Sequence, residues 1–523
     1  MLNRESVLPW LIEARAHKTP HKVFLQMIDG DQMTYAELHR EGLRWAAALT
    51  DAGVVFGDRV ATLLPKSFTA VAVWLGAAWN RAIEVSINLE FRDYMLRYVI
   101  NHSQANVLVI HEIYLDRVLE VMKDLGHVQH IIVVGKVPDD VRIEIPLVAA
   151  AQYLRPPDRD HFIGPGAQDI AMMLYTSGTT GPSKGVLIPW AQSHASARLW
   201  PYREGTRLYS VFPLFHVTGR TPLYAMALAN GTLIMRERFS AQDFWSDVTN
   251  YECTAANLMA APILYLENMP ESDVDADNPL EFITTGRLPK DPNGFMKRFG
   301  VTIGTSFNMT EISPAICSDG KLLANNSSCG RVRNGYQVRV VDEQDRPLAP
   351  NEDGELVVRA DDPWVLMAGY WDMPEKTVEA WRNLWFHTGD VFRYDEDGNF
   401  YYVDRLKDAI RRRGENISSF EVEAIVTDHP SVAECAAVAA NADSEDEVMI
   451  LVVLTPGKVL SEEELCRWLI PKMPRFMIPR YIEFVEQLPK TASLKVQKAV
   501  LRERGVTKRT WDREHAGLSI PRS

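Results

Sequence analysis

The sequence predicts a large α/β body built in several layers, followed by a small α+β unit. Three observations predict this. Strand-like apolar runs alternate with helical spacing from the N-terminus onward, as layered α/β folds require. At 523 residues the chain is longer than one hydrophobic core serves well. After residue 408 the alternation of strand and helix restarts in a stretch of about 100 residues with its own caps and turns.

The elements follow in order. Residues 7–16 have amphipathic helical spacing, and residues 22–33, broken by Asp29-Gly30-Asp31, read as a hairpin. Thr34 and Glu37 form a capping-box pair, behind which Leu38, Leu43, Ala46 and Leu49 keep helical spacing. A strand at 60–64, a helix at 70–79 and a strand at 83–87 come next. Apolar residues 170–174 form a strand that feeds a glycine-rich loop. Further strands are expected at 354–358 and 399–403, the latter after the turn Asp395-Glu396-Asp397-Gly398. The small unit has strands at 410–413, 432–439, 448–454 and 481–485. Its helices begin at the Ser418-x-x-Glu421 box and span 462–469.

Composition narrows the function classes. With 56 basic and 69 acidic side chains the net charge is −13, which argues against a nucleic-acid binder. The cysteines (Cys253, Cys317, Cys329, Cys435, Cys466) are odd in number and scattered without a CxxC, as expected of a reduced, cytoplasmic protein lacking a zinc site. The N-terminus has no apolar signal core. The longest apolar run, 70–79, is about half a membrane span. Oligomerisation is left open.

The most informative stretch is Leu174-Tyr175-Thr176-Ser177-Gly178-Thr179-Thr180-Gly181-Pro182-Ser183-Lys184-Gly185-Val186. Phosphate needs several donors converging from one side. Glycines let backbone N–H groups turn toward an anion, and hydroxyls and an ammonium complete the cradle. A flexible linker has the same composition but is rarely entered from an apolar strand and closed by a lysine. A Walker A loop needs Gly before the lysine and Ser or Thr after it, whereas Lys184 lies between Ser183 and Gly185.

This loop resembles the signature of the adenylate-forming superfamily of acyl-CoA ligases, peptide-synthetase adenylation domains and luciferases. The resemblance implies that Thr176, Ser177, Gly178, Thr179, Thr180 and Lys184 hold the phosphates of ATP. Five more segments match in order. Phe212-Pro213-Leu214-Phe215-His216-Val217-Thr218-Gly219 resembles the segment bordering the acyl pocket. On residue type alone His216 reads as a packed core histidine; the resemblance gives it a catalytic or gating place, with Val217 and Gly219 beside it. Thr305 to Glu311 resembles a Tyr-Gly-x-Thr-Glu motif, with Phe307 and Thr310 at the nucleotide and Glu311 holding Mg²⁺. Asn308 replaces the glycine, a change tolerated if left-handed backbone is needed. Trp385-Phe386-His387-Thr388-Gly389-Asp390 implies a ribose-binding Asp390, whose carboxylate can accept from two hydroxyls. Arg405 joins it on the ribose, and Lys407 is the implied hinge. Pro489 to Lys495 resembles the terminal lysine motif, with Lys495 catalytic in adenylation.

The resemblance divides the chain into a nucleotide- and acyl-binding domain (1–404), a hinge (405–407), a small mobile domain (408–510) and a tail (511–523). The fold is then that of the acyl-CoA synthetases. A carboxylate would attack ATP to give acyl-AMP; the small domain would then turn so that Gly414, Glu415 and Arg412 meet CoA. The cofactors implied are ATP/AMP, Mg²⁺ and coenzyme A. The tail, with Trp511-Asp512-Arg513-Glu514, resembles the crotonobetaine/carnitine-CoA ligase-like branch. Overall likeness suggests a specialised-metabolism ligase for a polycyclic terpenoid acid of the platensimycin type.

Two departures from the family pattern affect adenylation. Leu494 stands where glycine precedes the terminal lysine, and would cost about 1–2 kcal/mol if positive φ is needed. Arg287, after Gly286, stands where the family has small residues beside adenine and the acyl group, and would either crowd that floor or recognise a polar group on the substrate. A complete ligase that accommodates both changes is one reading. Others are an enzyme fed acyl-AMP by a separate adenylating ligase, a ligase loading a carrier protein, and a nucleotide-binding pseudoenzyme.

Overall fold

The computed structural model describes residues 3–520 except 140, 142, 157–161, 177–182, 259, 287, 319–326, 406–409, 413, 414, 418, 443, 444, 474 and 491–494. The chain forms two compact units. One comprises Met1–Gln337 with Arg359–Trp385, and the other Val338–Val358 with Phe386–Ser523. The expected hinge begins inside the second of these, because the strands flanking Asp390 cluster with the C-terminal portion.

The first unit holds an eight-stranded sheet. Its order is Gly369–Tyr370, Lys184–Pro189, Ile170–Thr176, Ile83–Ser86, Arg59–Leu63, Val107–His111, His130–Val134 and Leu147–Ala149. Pairing is antiparallel at the Gly369 edge and parallel from Ile170–Thr176 onward. Strands buried on both faces must be apolar throughout, and Val107 to Ile110 and Ile131 to Val133 are fully buried. Helix Phe68–Trp79 is buried from Ala70 to Trp79 and is capped by Ser67, which accepts from the Ala70 N–H. The expected Thr34–Glu37 capping box is formed at the start of helix Tyr35–Asp51.

A second run of strands in this unit places Phe282–Thr285, Thr302–Met309 and Ile312–Cys317 side by side. It packs on a core that includes Phe244, Ile263, Phe295 and Phe299.

In the second unit Gly354–Ala360, Phe386–Tyr394 and Phe400–Arg405 pair antiparallel. Beyond them lies a four-stranded sheet of Val432–Ala442, Glu445–Leu454, Tyr481–Phe484 and Trp511–Asp512, with helices Ser419–Thr427 and Glu462–Leu469. The stretch expected as a tail is part of this unit. Trp511 pairs with Ile482, and Leu518 is buried in the core with Ile450 and Leu469. Short apolar content in a polar run hid that edge strand from the sequence.

Candidate active site

The strands on either side of the glycine-rich loop pair antiparallel, with Thr176 directly opposite Lys184 and Tyr175 opposite Gly185. Ser177, Gly178, Thr179 and Thr180 lie outside the described residues. The base of the hairpin is fastened from three sides. Tyr98 Oη donates to the Ser183 carbonyl at 2.9 Å. Tyr175 Oη and His102 Nδ1 are 2.8 Å apart, and Trp371 Nε1 donates to the His102 carbonyl at 3.0 Å. Burial lowers the pKa of His102 and raises that of the Tyr175 phenol, so both sit as neutral groups. A charged fastening would compete with the lysine for an incoming phosphate.

Lys184 itself rests with Nζ 4.0 Å from the centre of the Tyr370 ring. Tyr370 opposes Val186 across the neighbouring strand, which carries its ring under the lysine. Its hydroxyl donates to Glu311 Oε1 at 3.0 Å. One tyrosine therefore touches both the loop cation and the carboxylate expected to hold metal.

Thr310 and Glu311 form the connection between Thr302–Met309 and Ile312–Cys317. Two bonds pin this turn: Gln192 Nε2 donates to the Thr310 carbonyl at 2.9 Å, and the Met367 N–H to the Glu311 carbonyl at 2.9 Å. Glu311 is 6% exposed. Asn308 departs from expectation. It lies at a register shift between Phe307 and Met309 and is not in the left-handed region. A bulge relieves the backbone here, so asparagine is accepted for a different reason than a left-handed turn.

His216 precedes helix Val217–Leu228 as its N-cap residue, though its side chain makes no cap bond. Gly219 is required: a Cβ there would stand 2.1 Å from the Pro213 carbonyl oxygen. Gly286 has open space around it, and Arg287 lies outside the described residues.

In the second unit Asp390 is 2% exposed, and Arg405 Nε is 2.6 Å from its Oδ1. Glu355 shapes the turn before it, accepting from the Gly389 N–H at 3.0 Å and meeting His387 Nδ1 at 2.9 Å. Gly389 takes φ +71°, which glycine adopts without strain. Thr388 Oγ1 accepts from the Asp390 N–H at 3.1 Å and donates to the Leu356 carbonyl. Lys495 is exposed and directly precedes Val496, which pairs with Lys490. Lys407, Gly414 and Leu494 lie outside the described residues, and Glu415 opens the strand Glu415–Ile417. Arg412 is 4% exposed, its Nε is 2.7 Å from Glu447 Oε2 and its Nη1 donates to the Ile478 carbonyl. As placed, it braces the small sheet.

Tyr98, His102, Tyr370, Trp371, Glu355 and His387 were missed by sequence reasoning. Only the Gly-Glu-Leu run at Glu355 carried a hint, and that was of a strand.

Among the described residues no group of three or more His, Cys, Asp or Glu side chains could hold a metal. Mg²⁺ needs less, since one or two carboxylates and substrate phosphates commonly hold it. Buried Glu311 near the phosphate hairpin fits that pattern. No helix of the described residues is long and apolar enough to cross a membrane.

Residues 12–371 match the AMP-binding enzyme family, and residues 421–495 the AMP-binding enzyme C-terminal domain. A crotonobetaine/carnitine–CoA ligase of Salmonella typhimurium is 30% identical over 498 residues, 90% of this chain and 93% of the relative. The long-chain-fatty-acid–CoA ligase FadD13 of Mycobacterium tuberculosis is 28% identical over 512 residues, 94% of this chain and 97% of the relative. ATP-bound MatB from Rhodopseudomonas palustris superposes with a TM-score of 0.83 at 25% identity, over 94% of this chain and 98% of that one. The anthranilate CoA ligase AuaEII in complex with anthranoyl-AMP shares the fold, with a TM-score of 0.85 at 24% identity over 96% of this chain and 98% of that one.

Proposed function

Because the chain belongs to the AMP-binding enzyme family and is an AMP-forming acyl-CoA ligase, we propose that its acid is activated at the hairpin carrying Lys184 and the turn carrying Thr310 and Glu311. The reaction joins a carboxylic acid to CoA through an acyl-adenylate, using ATP and releasing AMP.

Attack of a carboxylate on the α-phosphorus puts charge on phosphate oxygens and forms no covalent bond to protein. Catalysis then depends on positioned donors and cations. Thr176 and Lys184 receive the β/γ end of ATP. Thr310 donates to the α-phosphate. Glu311, oriented by Tyr370, is the carboxylate suited to Mg²⁺, which neutralises phosphate charge when bound. Asp390 accepts from the ribose hydroxyls, and Arg405 moves partly from Asp390 to share them. Lys495 serves adenylation through its motif.

In the second half a thiol attacks the mixed anhydride and AMP leaves. Gly414 and Glu415 are assigned to that step, where a bare glycine lets the pantetheine arm approach the backbone. Exchange between the halves turns about Lys407, with 1–404 and 408–510 as the functional domains. His216, Val217, Gly219, Gly286 and Arg287 border the acyl group. Small residues around it suit a bulky acid of specialised metabolism, and a cytoplasmic location suits the scattered cysteines.

The observation that carries this reading is the contact of Tyr370 with both Lys184 and Glu311 beside a phosphate hairpin. It favours a complete ligase over an enzyme fed by a separate adenylating ligase, because the adenylation side is built and braced. The test is incubation with ATP, CoA and a broad panel of carboxylic acids, following AMP, pyrophosphate and thioester together. Release of all three with at least one acid supports the reading. Thioester formed only from supplied acyl-AMP would replace it with the fed enzyme, and thioester formed only on a carrier protein would change the acceptor.

A further inference from the structure

The hinge implied at 405–407 lies in sequence between Asp404 and Ser419, and a buried hydrogen bond joins those two residues. Asp404, in strand Phe400–Arg405, is 3% exposed. Its Oδ2 accepts from the Ser419 N–H at 2.6 Å, and its Oδ1 from the Arg405 N–H at 2.7 Å. Ser419 opens helix Ser419–Thr427 and is fully buried. Its hydroxyl accepts from Lys498 Nζ, and the same ammonium lies 2.8 Å from Glu423 Oε1 on that helix. Glu423 in turn accepts from the Ala437 N–H at 2.7 Å, in strand Val432–Ala442. Lys498 is the first residue of helix Lys498–Arg504, three residues beyond Lys495.

These contacts join a nucleotide-side strand to elements beyond the hinge. Strand Phe400–Arg405 carries Arg405 and pairs with the strand of Asp390. Beyond the hinge the partners are fixed to one another, since Lys498 bridges Ser419 and Glu423, and Glu423 is bonded to the sheet. Rotation about Lys407 would carry them as one body, so the bond from the Ser419 N–H to Asp404 has to break. Breaking it has a free-energy cost. A carboxylate at the first N–H of a helix gains from a charge-assisted bond and from the helix dipole. Once that N–H departs, a buried carboxylate oxygen is left short of a donor. The cost falls on Asp404 and not on the helix, whose first N–H groups have no intrahelical partner. A bond of this kind biases the equilibrium between two orientations, which a contact kept in both cannot do.

We propose that Asp404, Ser419 and Lys498 are positioning residues that hold the small domain in one of its two working orientations, through a hydrogen bond broken and remade at each exchange between half-reactions. The inference rests on the ligase reading, with its rotation about Lys407. Lys498 has a particular part. It ties the segment that follows Lys495 to the same Ser419 that meets Asp404. Release of the bond and displacement of the terminal lysine segment are therefore one movement. The effect of all three residues is exerted through where Lys495 and the Gly414-Glu415 segment stand.

The test measures the half-reactions separately. Ser419→Pro deletes the donor and, at the first position of a helix, removes no helical bond. With the acid that the wild type uses best, pyrophosphate exchange follows adenylation, and the synthetic acyl-AMP with CoA follows thioester formation. Loss of a hydrogen bond to a carboxylate should move the ratio of the two rates by about tenfold, one half slowing while the other holds or quickens. Ser419→Ala and Lys498→Met keep the N–H and should move the ratio the same way by less, and Lys498→Arg should restore most of it. Thermal melting checks folding. Should Ser419→Pro not fold, the Ala and Met variants must still shift the ratio, both in one direction. Lys407→Pro tests the rotation itself: a stiffened hinge should stall the full reaction while sparing one half. If it does so and the ratio is unmoved in folded Ser419 and Lys498 variants, or both halves slow equally in them, the inference is overturned and the ligase reading stands. If Lys407→Pro leaves the full reaction untouched, or the wild type lacks either half-reaction with every acid, the underlying reading falls and the inference with it.

Discussion

Arg405 Nε stands 2.6 Å from Asp390 Oδ1, the two residues directly opposed on neighbouring antiparallel strands. The carboxylate is almost fully buried and the guanidinium is 45% exposed, so the aspartate is fixed while the arginine reaches solvent. The side chains of Glu355 and Thr388 accept from the Gly389 and Asp390 N–H groups and hold the turn that presents Asp390. On the proposed assignment of Asp390 to the ribose, the sugar shares that carboxylate with Arg405 and does not find an idle acceptor. That arrangement favours discrimination over raw affinity, because a nucleoside lacking a hydroxyl leaves a buried polar group short of a partner.

Asp390→Asn should therefore weaken AMP binding by about 10-fold or more, the loss expected of a hydrogen bond to a charged group. The same change should affect 2′-deoxy-AMP much less. Titration calorimetry with the two nucleotides measures the difference. Equal losses for both would place the ribose elsewhere.

Tyr370→Phe separates the two contacts of that side chain. The ring stays under Lys184, while the hydroxyl that donates to Glu311 at 3.0 Å is removed. Loss of one charge-assisted hydrogen bond corresponds to about 1.5–3 kcal/mol. Adenylation, followed by pyrophosphate exchange, should slow by about 10-fold or more in kcat with little change in the KM for ATP. Thioester formation from supplied acyl-AMP should keep its rate.

Fold and site differ in how far they could be read from the sequence. The helix Tyr35–Asp51 announces itself because a capping box and an apolar stripe are local signals, and Ile170–Thr176 does so by its apolar run. Motif residues such as Lys184, Glu311 and Asp390 stand out by residue type and spacing. Tyr370 carried no such signal. It reaches Lys184 because a two-residue strand distant in sequence joins the hairpin's edge, and strand partners are not encoded locally. Arg412 shows the opposite case. A run of three arginines reads as a solvated or phosphate-binding face, but Glu447 on the long strand Glu445–Leu454 draws one of them inside.

Acid stability should depend on His194. It is 8% exposed, and burial, aided by Arg198 and Arg333, lowers its pKa from 6.5 to about 4. The folded state thus holds it neutral between those values while the unfolded chain takes up a proton. Stability contributed by the neutral ring is complete above pH 6.5 and is lost as the pH falls toward 4, by up to about 3 kcal/mol. His194→Gln should flatten the fall of Tm between pH 6.5 and 4, whatever it does to Tm at pH 8. An unchanged slope would mean that other groups set acid sensitivity.

Whether adenylation is efficient turns on the residue before the terminal lysine, where Leu494 replaces the family's glycine. If Leu494 misplaces Lys495, Leu494→Gly should raise the rate of pyrophosphate exchange, by about 5- to 30-fold for a strain of about 1–2 kcal/mol relieved. It should leave thioester formation from acyl-AMP unaltered, since the proposed role of Lys495 is confined to adenylation. Lys184→Ala provides the complementary measurement. It removes the cation of the phosphate hairpin, so it should abolish most pyrophosphate exchange while scarcely changing the use of supplied acyl-AMP, which has no β/γ end to hold. The two variants act in opposite directions on one half-reaction and not on the other. Were Lys184→Ala to slow both halves equally, the hairpin would have to hold the AMP moiety as well, and its role would not be confined to the leaving pyrophosphate.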